Sequence, residues 1–246
     1  YLTPHDPFEQ RLLSRLAPPS WDHICGTDGH GRDILSRIIM GSRISLMIGA
    51  LSVIIGVGIG SMLGLIAGYA GGYIDEIIMR AMDIMISFPG VLLALVVVAI
   101  LGPGLFNVVL AIGVWSIPVF ARLVRSEALA IKEEDYVTAA RAIGCNDVVI
   151  ILRHVLRNCF APILVLITLR FATSILSAAS LSFLGLGAQP PTPDWGTMLS
   201  DGKDYLSNAW WVATCPGIAI MLIVLGFNLL GDSLRDVLDP KMTRIG

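Results

Sequence analysis

Charge is what this sequence has least of. Of its 246 residues, 15% are Asp, Glu, Lys or Arg, against 55% apolar residues. A soluble domain carries about 25% charged residues. So few charges cannot cover a globule of this size, which argues against an ordinary soluble enzyme, and the apolar content excludes a disordered chain. Lysine is scarcest, with only Lys132, Lys203 and Lys241. A phosphate-binding loop needs Gly-Lys followed by Ser or Thr. Only Lys203 follows a glycine, and Asp204 comes next, so ATP hydrolysis by this chain is not expected. No HExxH or GxSxG pattern occurs. His5, His23 and His30 precede the first long apolar run and His154 lies in a polar segment, so no nucleophile–base pair sits within the apolar runs. The four cysteines, Cys25, Cys145, Cys159 and Cys215, form no CxxC pair and suggest four unpaired thiols. A net charge of −2 leaves no basic footprint for nucleic acid.

What is abundant is uninterrupted apolar sequence, and the mean hydropathy is +0.77. Residues 44–74 and 84–121 carry no charge. The second run is too long for one crossing, and Gly102-Pro103-Gly104 divides it as a turn. The pattern predicts an all-α, polytopic membrane protein with five spans: about 44–70, 78–101, 105–124, 160–181 and 209–231. With the C-terminus inside, the inner segments 71–83, 122–158 and 232–246 hold ten Lys and Arg, and the outer segments hold six. That bias predicts an extracytoplasmic segment 1–43 and a cytoplasmic loop at about 122–158, in which Arg122 and Arg125 snorkel at the interface. Trp195, Trp210 and Trp211 fit an outer aromatic belt.

Several residues stand out within this frame. Gly56, Gly60, Gly64 and Gly68 recur every fourth residue in the first span, a small-residue stripe that lets a neighbouring helix or a second subunit approach closely. Arg170 is the one basic residue deep in a span, as a buried or pathway charge. His23, Cys25, Asp28 and His30 are close in sequence and of metal-binding types, a weak candidate site that reads more simply as structural. In the 122–158 loop, Glu133 to Gly144 reads as a short helix closed by glycine, followed by another over about 146–156. Its small side chains would let this knob enter a groove on a partner.

Here the sequence resembles a known family. Glu133-Glu134-Asp135-Tyr136-Val137-Thr138-Ala139-Ala140-Arg141-Ala142-Ile143-Gly144, followed by Arg153-His154-Val155-Leu156, is similar to the EAA loop of ABC importer permeases, and more narrowly of their dipeptide, oligopeptide, glutathione and nickel branch. Gly26-Thr27-Asp28 with Gly31-Arg32-Asp33, the stretch from Leu181 to Gly196, and Phe227 to Asp236 with Leu238-Asp239-Pro240 agree with it. Two positions depart: Thr138 stands where the family has Glu, and Arg157 where the branch has Pro, so the second short helix is free to run on towards the fourth span.

The resemblance implies the type I importer permease architecture with six spans, of which this chain, starting at Tyr1, would lack the first. It implies a permease domain over 44–241 and a tail over 242–246. It implies bacterial or archaeal inner-membrane location and alternating access. The implied partners are a second homologous permease, two cytoplasmic ATPase subunits and an extracytoplasmic substrate-binding protein, in the lipid membrane and without nucleic acid. No cofactor belongs to this chain; ATP and Mg would reside on the ATPases. Glu134, Asp135, Tyr136, Ala139, Ala140, Arg141, Ala142 and Gly144 would carry ATPase docking. Dipeptides or oligopeptides are the default substrate, with nickel or another metal chelate and glutathione as alternatives. Outside the family stand an ion-driven secondary transporter, for which Asp83 is the nearest relay candidate, and a membrane-embedded enzyme.

Overall fold

A computed structural model describes residues 3–238. The last residues of the closing motif, Asp239 and Pro240, and Lys241, Arg244 and the 242–246 tail lie outside them. Among the described residues the structure is helical, apart from an isolated bridge between Thr27 and Asp33. The long helices are α1 (Ile34–Ala70), α4 (Leu105–Lys132), α7 (Leu156–Phe183) and α9 (Trp211–Leu238). The shorter ones are α2 (Gly72–Ser87), α3 (Gly90–Leu101), α5 (Asp135–Ala142), α6 (Asp147–Ile150) and α8 (Trp195–Gly202). Four stretches, 34–70, 105–132, 147–183 and 211–238, are long and apolar enough to cross a membrane, and α2 with α3 make a fifth if counted as one span. The five expected spans are therefore present, with two corrections.

The second span is not one helix. It starts at Gly72 and turns by 90° at a break before Gly90. Pro89 has no N–H to donate and forces the residue before it out of the helical region, and Phe88 is extended at φ −91°, ψ 135°. The first span also starts earlier, at Ile34 rather than 44. The Asp33 carboxylate accepts the Ser36 N–H at 2.8 Å, satisfying one of the amides that a helix start leaves unpaired. The expected turn at 102–104 is present. Gly102 has φ +89° and Gly104 φ +153°, values an L side chain rarely adopts.

The described residues pack as two units, one of residues 3–51, 94–112 and 171–226, the other of 52–93, 113–170 and 227–238. In the first unit, Ile34, Ile175, Trp195, Met198, Trp211 and Val212 share one core. Trp195 and Trp211 are 4% and 8% exposed, so the aromatic belt is corrected to Trp210 alone, at 55%. The two buried indoles donate to backbone, Trp195 to the Ile38 carbonyl (3.0 Å) and Trp211 to the Thr27 carbonyl (3.3 Å). A buried indole needs such an acceptor, and here the acceptors tie the polar N-terminal segment and the start of α1 to the core. Asp28 anchors the same segment, pairing with Arg32 (2.7 Å) and Arg37 (3.6 Å) while accepting the His30 and Arg32 amides. All three charged side chains are buried, so removing one partner would leave an uncompensated charge.

Asp194 caps α8 by accepting the Thr197 N–H and also accepts from Ser45 Oγ, each at 3.3 Å. Burial raises its pKa above the ordinary carboxylate value, with these hydrogen bonds opposing. A raised folded-state pKa makes the carboxyl contribute stability at low pH that is lost as pH rises through that pKa. Asp194→Asn, which retains an acceptor for the cap, is therefore expected to gain thermal stability relative to wild type as pH goes from about 4 to 7. Melting curves of both proteins across that range check this; a difference that is flat or shrinks with pH contradicts it.

In the second unit the glycine stripe meets α4. A Cβ on Gly56 would come within 2.6 Å of Ser116 Cβ, one on Gly60 within 2.5 Å of the Ile117 carbonyl oxygen, and one on Gly68 within 2.9 Å of the Arg125 carbonyl oxygen. On Gly64 it would overlap the Ala121 carbonyl. The helix that the stripe was expected to seat is thus a neighbour in the same chain. Arg125 does not simply snorkel, because it holds Asp75 through two bonds of 2.5 and 2.6 Å. Arg122 pairs with Asp83 at 2.6 Å, which occupies the one carboxylate considered as a proton relay.

Candidate functional site

The segment from Glu133 to Asn158 is built from short, well-terminated pieces. α4 ends at Lys132, whose ammonium donates to the Tyr69 carbonyl at 2.9 Å. Glu134 is extended and leads into α5, with Asp135 in the first turn, where a negative charge opposes the helix dipole favourably. α5 closes as a Schellman motif: the Gly144 N–H reaches the Arg141 carbonyl and the Cys145 N–H reaches the Ala140 carbonyl, both at 3.1 Å. Gly144 makes this turn at φ +86°. The Asn146 side chain then accepts the Val148 N–H at 3.1 Å and starts α6. No proline stands between α6 and α7, and α6 passes through a π turn at Ile151–Val155 directly into α7. The continuation that Arg157 allowed is what the structure has.

One face of the segment is buried. Val137, Ala140, Ile150, Val155 and Cys159 share a core with Val124, Ala128 and Ile131 of α4. A polar clamp adds to it: Tyr69 OH bonds Asp147, Arg141 reaches the same hydroxyl at 3.4 Å, and Asn158 Nδ2 donates to Tyr136 OH at 3.0 Å. The other face is open. Glu134, Asp135, Tyr136, Ala139, Arg141, Ala142 and Gly144 are all exposed. Ala140 is the correction. It is 8% exposed and faces the core, because α5 makes only about two turns and its inward stripe must fall at Val137 and Ala140, three residues apart.

The open face also carries apolar residues, of which those after Gly144 were missed in the sequence. Ile143 is 81% exposed, and Val148, Val149 and Leu152 are exposed beside it in sequence. The signal was there: apolar residues at 148, 149 and 152 are out of phase with the buried pair Ile150 and Val155. Exposed apolar groups in a segment that also exposes Glu134, Asp135, Arg141 and Arg153 suit protein contact rather than chemistry.

The remaining sequence candidates are scattered. Arg170 lies half-buried in α7, outside this segment. His23, Cys25, Asp28 and His30 do not converge. Asp28 and His30 are engaged with Arg32 (2.7 and 3.2 Å), the Cys25 backbone carbonyl accepts from the Cys215 thiol at 4.0 Å, and His23 turns to Asp33. All four cysteines are free thiols.

Comparison with known proteins places this geometry. Residues 60–244 match the family described as "binding-protein-dependent transport system inner membrane component". The chain belongs to this family. The permease is 50% identical to the di/tripeptide transport system permease protein DppC of Pseudomonas aeruginosa over 98% of this chain and 82% of the relative. It is 52% identical to the glutathione transport system permease protein GsiD of Pectobacterium atrosepticum, over 98% and 81%. Its fold is that of a chain from the inward-facing MetNI methionine ABC transporter, with a TM-score of 0.69 and 20% identity over 84% of this chain and 98% of the other. The permease is thus a helical, multi-pass component of the bacterial inner membrane with the type I ABC importer architecture. The secondary-transporter reading falls away with that assignment.

Proposed function

We propose that this permease forms half of the pathway of an ATP-driven importer of dipeptides or oligopeptides. In this reading a second homologous permease supplies the other half, an extracytoplasmic binding protein delivers the substrate, and two ATPases supply the work. The chain itself catalyses nothing and holds no nucleotide, since it lacks a Gly-Lys-Ser/Thr loop; ATP and Mg belong to the partners. The 133–158 segment lies on the cytoplasmic side and is the surface that the ATPases grip. The observation that carries this is α5 with its buried face packed on α4, while Ile143 at its end and Val148, Val149 and Leu152 after it are left exposed. A firmly rooted knob transmits displacement to the helix behind it, which is what coupling by alternating access needs. The name of the P. aeruginosa relative favours di- or tripeptides, and the 52% identity to a glutathione permease favours glutathione as the second reading.

The test is uptake by proteoliposomes holding the permease with its co-encoded subunits and binding protein. Labelled dipeptide is expected to enter only with both ATP and binding protein present. Excess glutathione or nickel chelate is expected to leave that uptake unchanged. Uptake driven by an ion gradient without ATP would overturn the transport reading, and full competition by glutathione would replace the substrate.

A further inference from the structure

The N-terminal segment contains a convergence of metal-ligating side chains that peptide transport does not use. His5, His23 and Asp33 each present one ligand atom, and these atoms all lie within 4.8 Å of one another. The rings of His5 and His23 stand 4.7 Å apart. His23 Nδ1 is already 2.9 Å from Asp33 Oδ1. Asp22 stands beside them: its carboxylate oxygens lie 3.8 Å from His5 Nε2 and 3.7 Å from His23 Nε2. Two imidazoles and one buried carboxylate therefore converge on one small volume, with the exposed Asp22 carboxylate nearby.

The three convergent residues are held from independent directions. Asp33 is fixed by the start of α1, where it accepts the Ser36 N–H. His23 is buried, and its backbone N–H donates to Ser20 Oγ at 3.1 Å. His5 is tied through its own N–H to Ser36 Oγ at 3.0 Å, and its Nε2 meets the Asp22 carbonyl at 2.8 Å. Little backbone movement is needed to bring the ligands together. A tetrahedral ion with bonds of about 2.0–2.1 Å holds its ligand atoms about 3.3 Å apart, so the widest gap closes by roughly 1.5 Å. Rotation of His5, the more exposed of the two rings, supplies that closure. Imidazole with carboxylate selects a borderline divalent ion, not Mg or Ca, which prefer all-oxygen shells.

We propose that His5, His23 and Asp33 bind a divalent transition-metal ion of the Zn²⁺ type, with the fourth position open to solvent. The ion would pin the beginning of the chain to the start of α1 as a structural clamp. The sequence hinted at metal here but through the wrong partners: Cys25, Asp28 and His30 are diverted, and His5 and Asp33 take their place.

The test uses the full chain in detergent, purified with its accompanying subunits and without any polyhistidine tag. Zn²⁺ binding is measured by titration and by metal content after dialysis, and melting is followed with and without Zn²⁺. His5→Gln is expected to weaken Zn²⁺ binding by about 10- to 100-fold and to abolish the Zn²⁺-dependent rise in melting temperature. His30→Gln, which alters a nearby histidine outside the cluster, is expected to retain both. Substituting Co²⁺ should give visible ligand-field absorption in wild type that His5→Gln lacks. His5 is partly exposed, so this variant is expected to fold; equal melting temperatures without metal confirm that. Equal Zn²⁺ affinity in wild type and His5→Gln would overturn the proposal. So would an equal loss in His30→Gln.

Discussion

Gly64→Leu is expected to stop the chain from accumulating as folded protein. The Cβ it adds lands on the Ala121 carbonyl, a main-chain group that cannot rotate aside, so α1 and α4 must separate along the second unit. Overpacking a well-filled core costs about 1–3 kcal/mol where side chains can adjust. Here no side chain can, and a loss at or above that upper value is about a quarter of the stability of an ordinary domain or more. Gly58→Leu in the same helix is the control, because nothing lies within 4 Å of a Cβ at that position. The yield of monodisperse protein in detergent should fall severalfold for Gly64→Leu and stay near wild type for Gly58→Leu. Equal yields would mean that the close approach of the two helices is not needed. The stripe alone suggested a subunit interface as readily as an internal one; its contacts with Ser116, Ile117, Ala121 and Arg125 assign the defect to folding of the single chain.

Ile143→Asp should have the opposite signature: normal insertion and normal yield, with ATP-driven uptake reduced at least about tenfold. Ile143 is 81% exposed, so a charge there meets water in the isolated permease and is desolvated only when a partner covers it. Removing a buried apolar anchor and burying a charge at its place costs an interface several kcal/mol, and each 1.4 kcal/mol is a factor of ten in affinity. Ala140→Asp separates surface from core. That residue faces Val137, Ile150 and Val155, so its carboxylate would disrupt the segment itself. Limited proteolysis should therefore cut Ala140→Asp between Lys132 and Asn158 while leaving Ile143→Asp intact. Wild-type uptake by Ile143→Asp would remove the exposed face from the coupling surface.

The membrane helices were legible because bilayer spans announce themselves by what they exclude, and 44–74 and 84–121 exclude every charge. The same criterion failed where it had nothing to count. The bend before Gly90 lies inside a charge-free run, and only Pro89 marks it. The first ten residues of α1 carry Arg37 and Arg43, which a charge-based boundary pushes out of the span although the helix runs through them. Trp195 and Trp211 have the residue type of an interfacial belt, and only packing decides that their indoles turn inward to Ile38 and Thr27. At the functional segment the motif located the right residues, whereas the division between its faces was hidden. Alanines at 139, 140 and 142 give no hydrophobic contrast from which to read a helix phase, so Ala140 looked like its neighbours.

At Gly60 and Gly64 the closeness of α1 and α4 is made by the main-chain carbonyls of Ile117 and Ala121 on one side and missing side chains on the other, whereas Gly56 and Gly68 also meet the small side chains of Ser116 and Ala128. Backbone atoms are the same whatever residue bears them. Where a carbonyl makes the contact, mutation can therefore damage it more readily from α1 than from α4. At Ile117, Ala121 and Arg125 the contacting carbonyl survives any substitution that keeps the helix. At Gly60, Gly64 and Gly68 every substitution adds the atom that does not fit. The hereditary burden of holding these two helices together thus falls on the glycine codons of α1 where carbonyls make the contact, and is shared with Ser116 and Ala128 of α4, whose small side chains face Gly56 and Gly68.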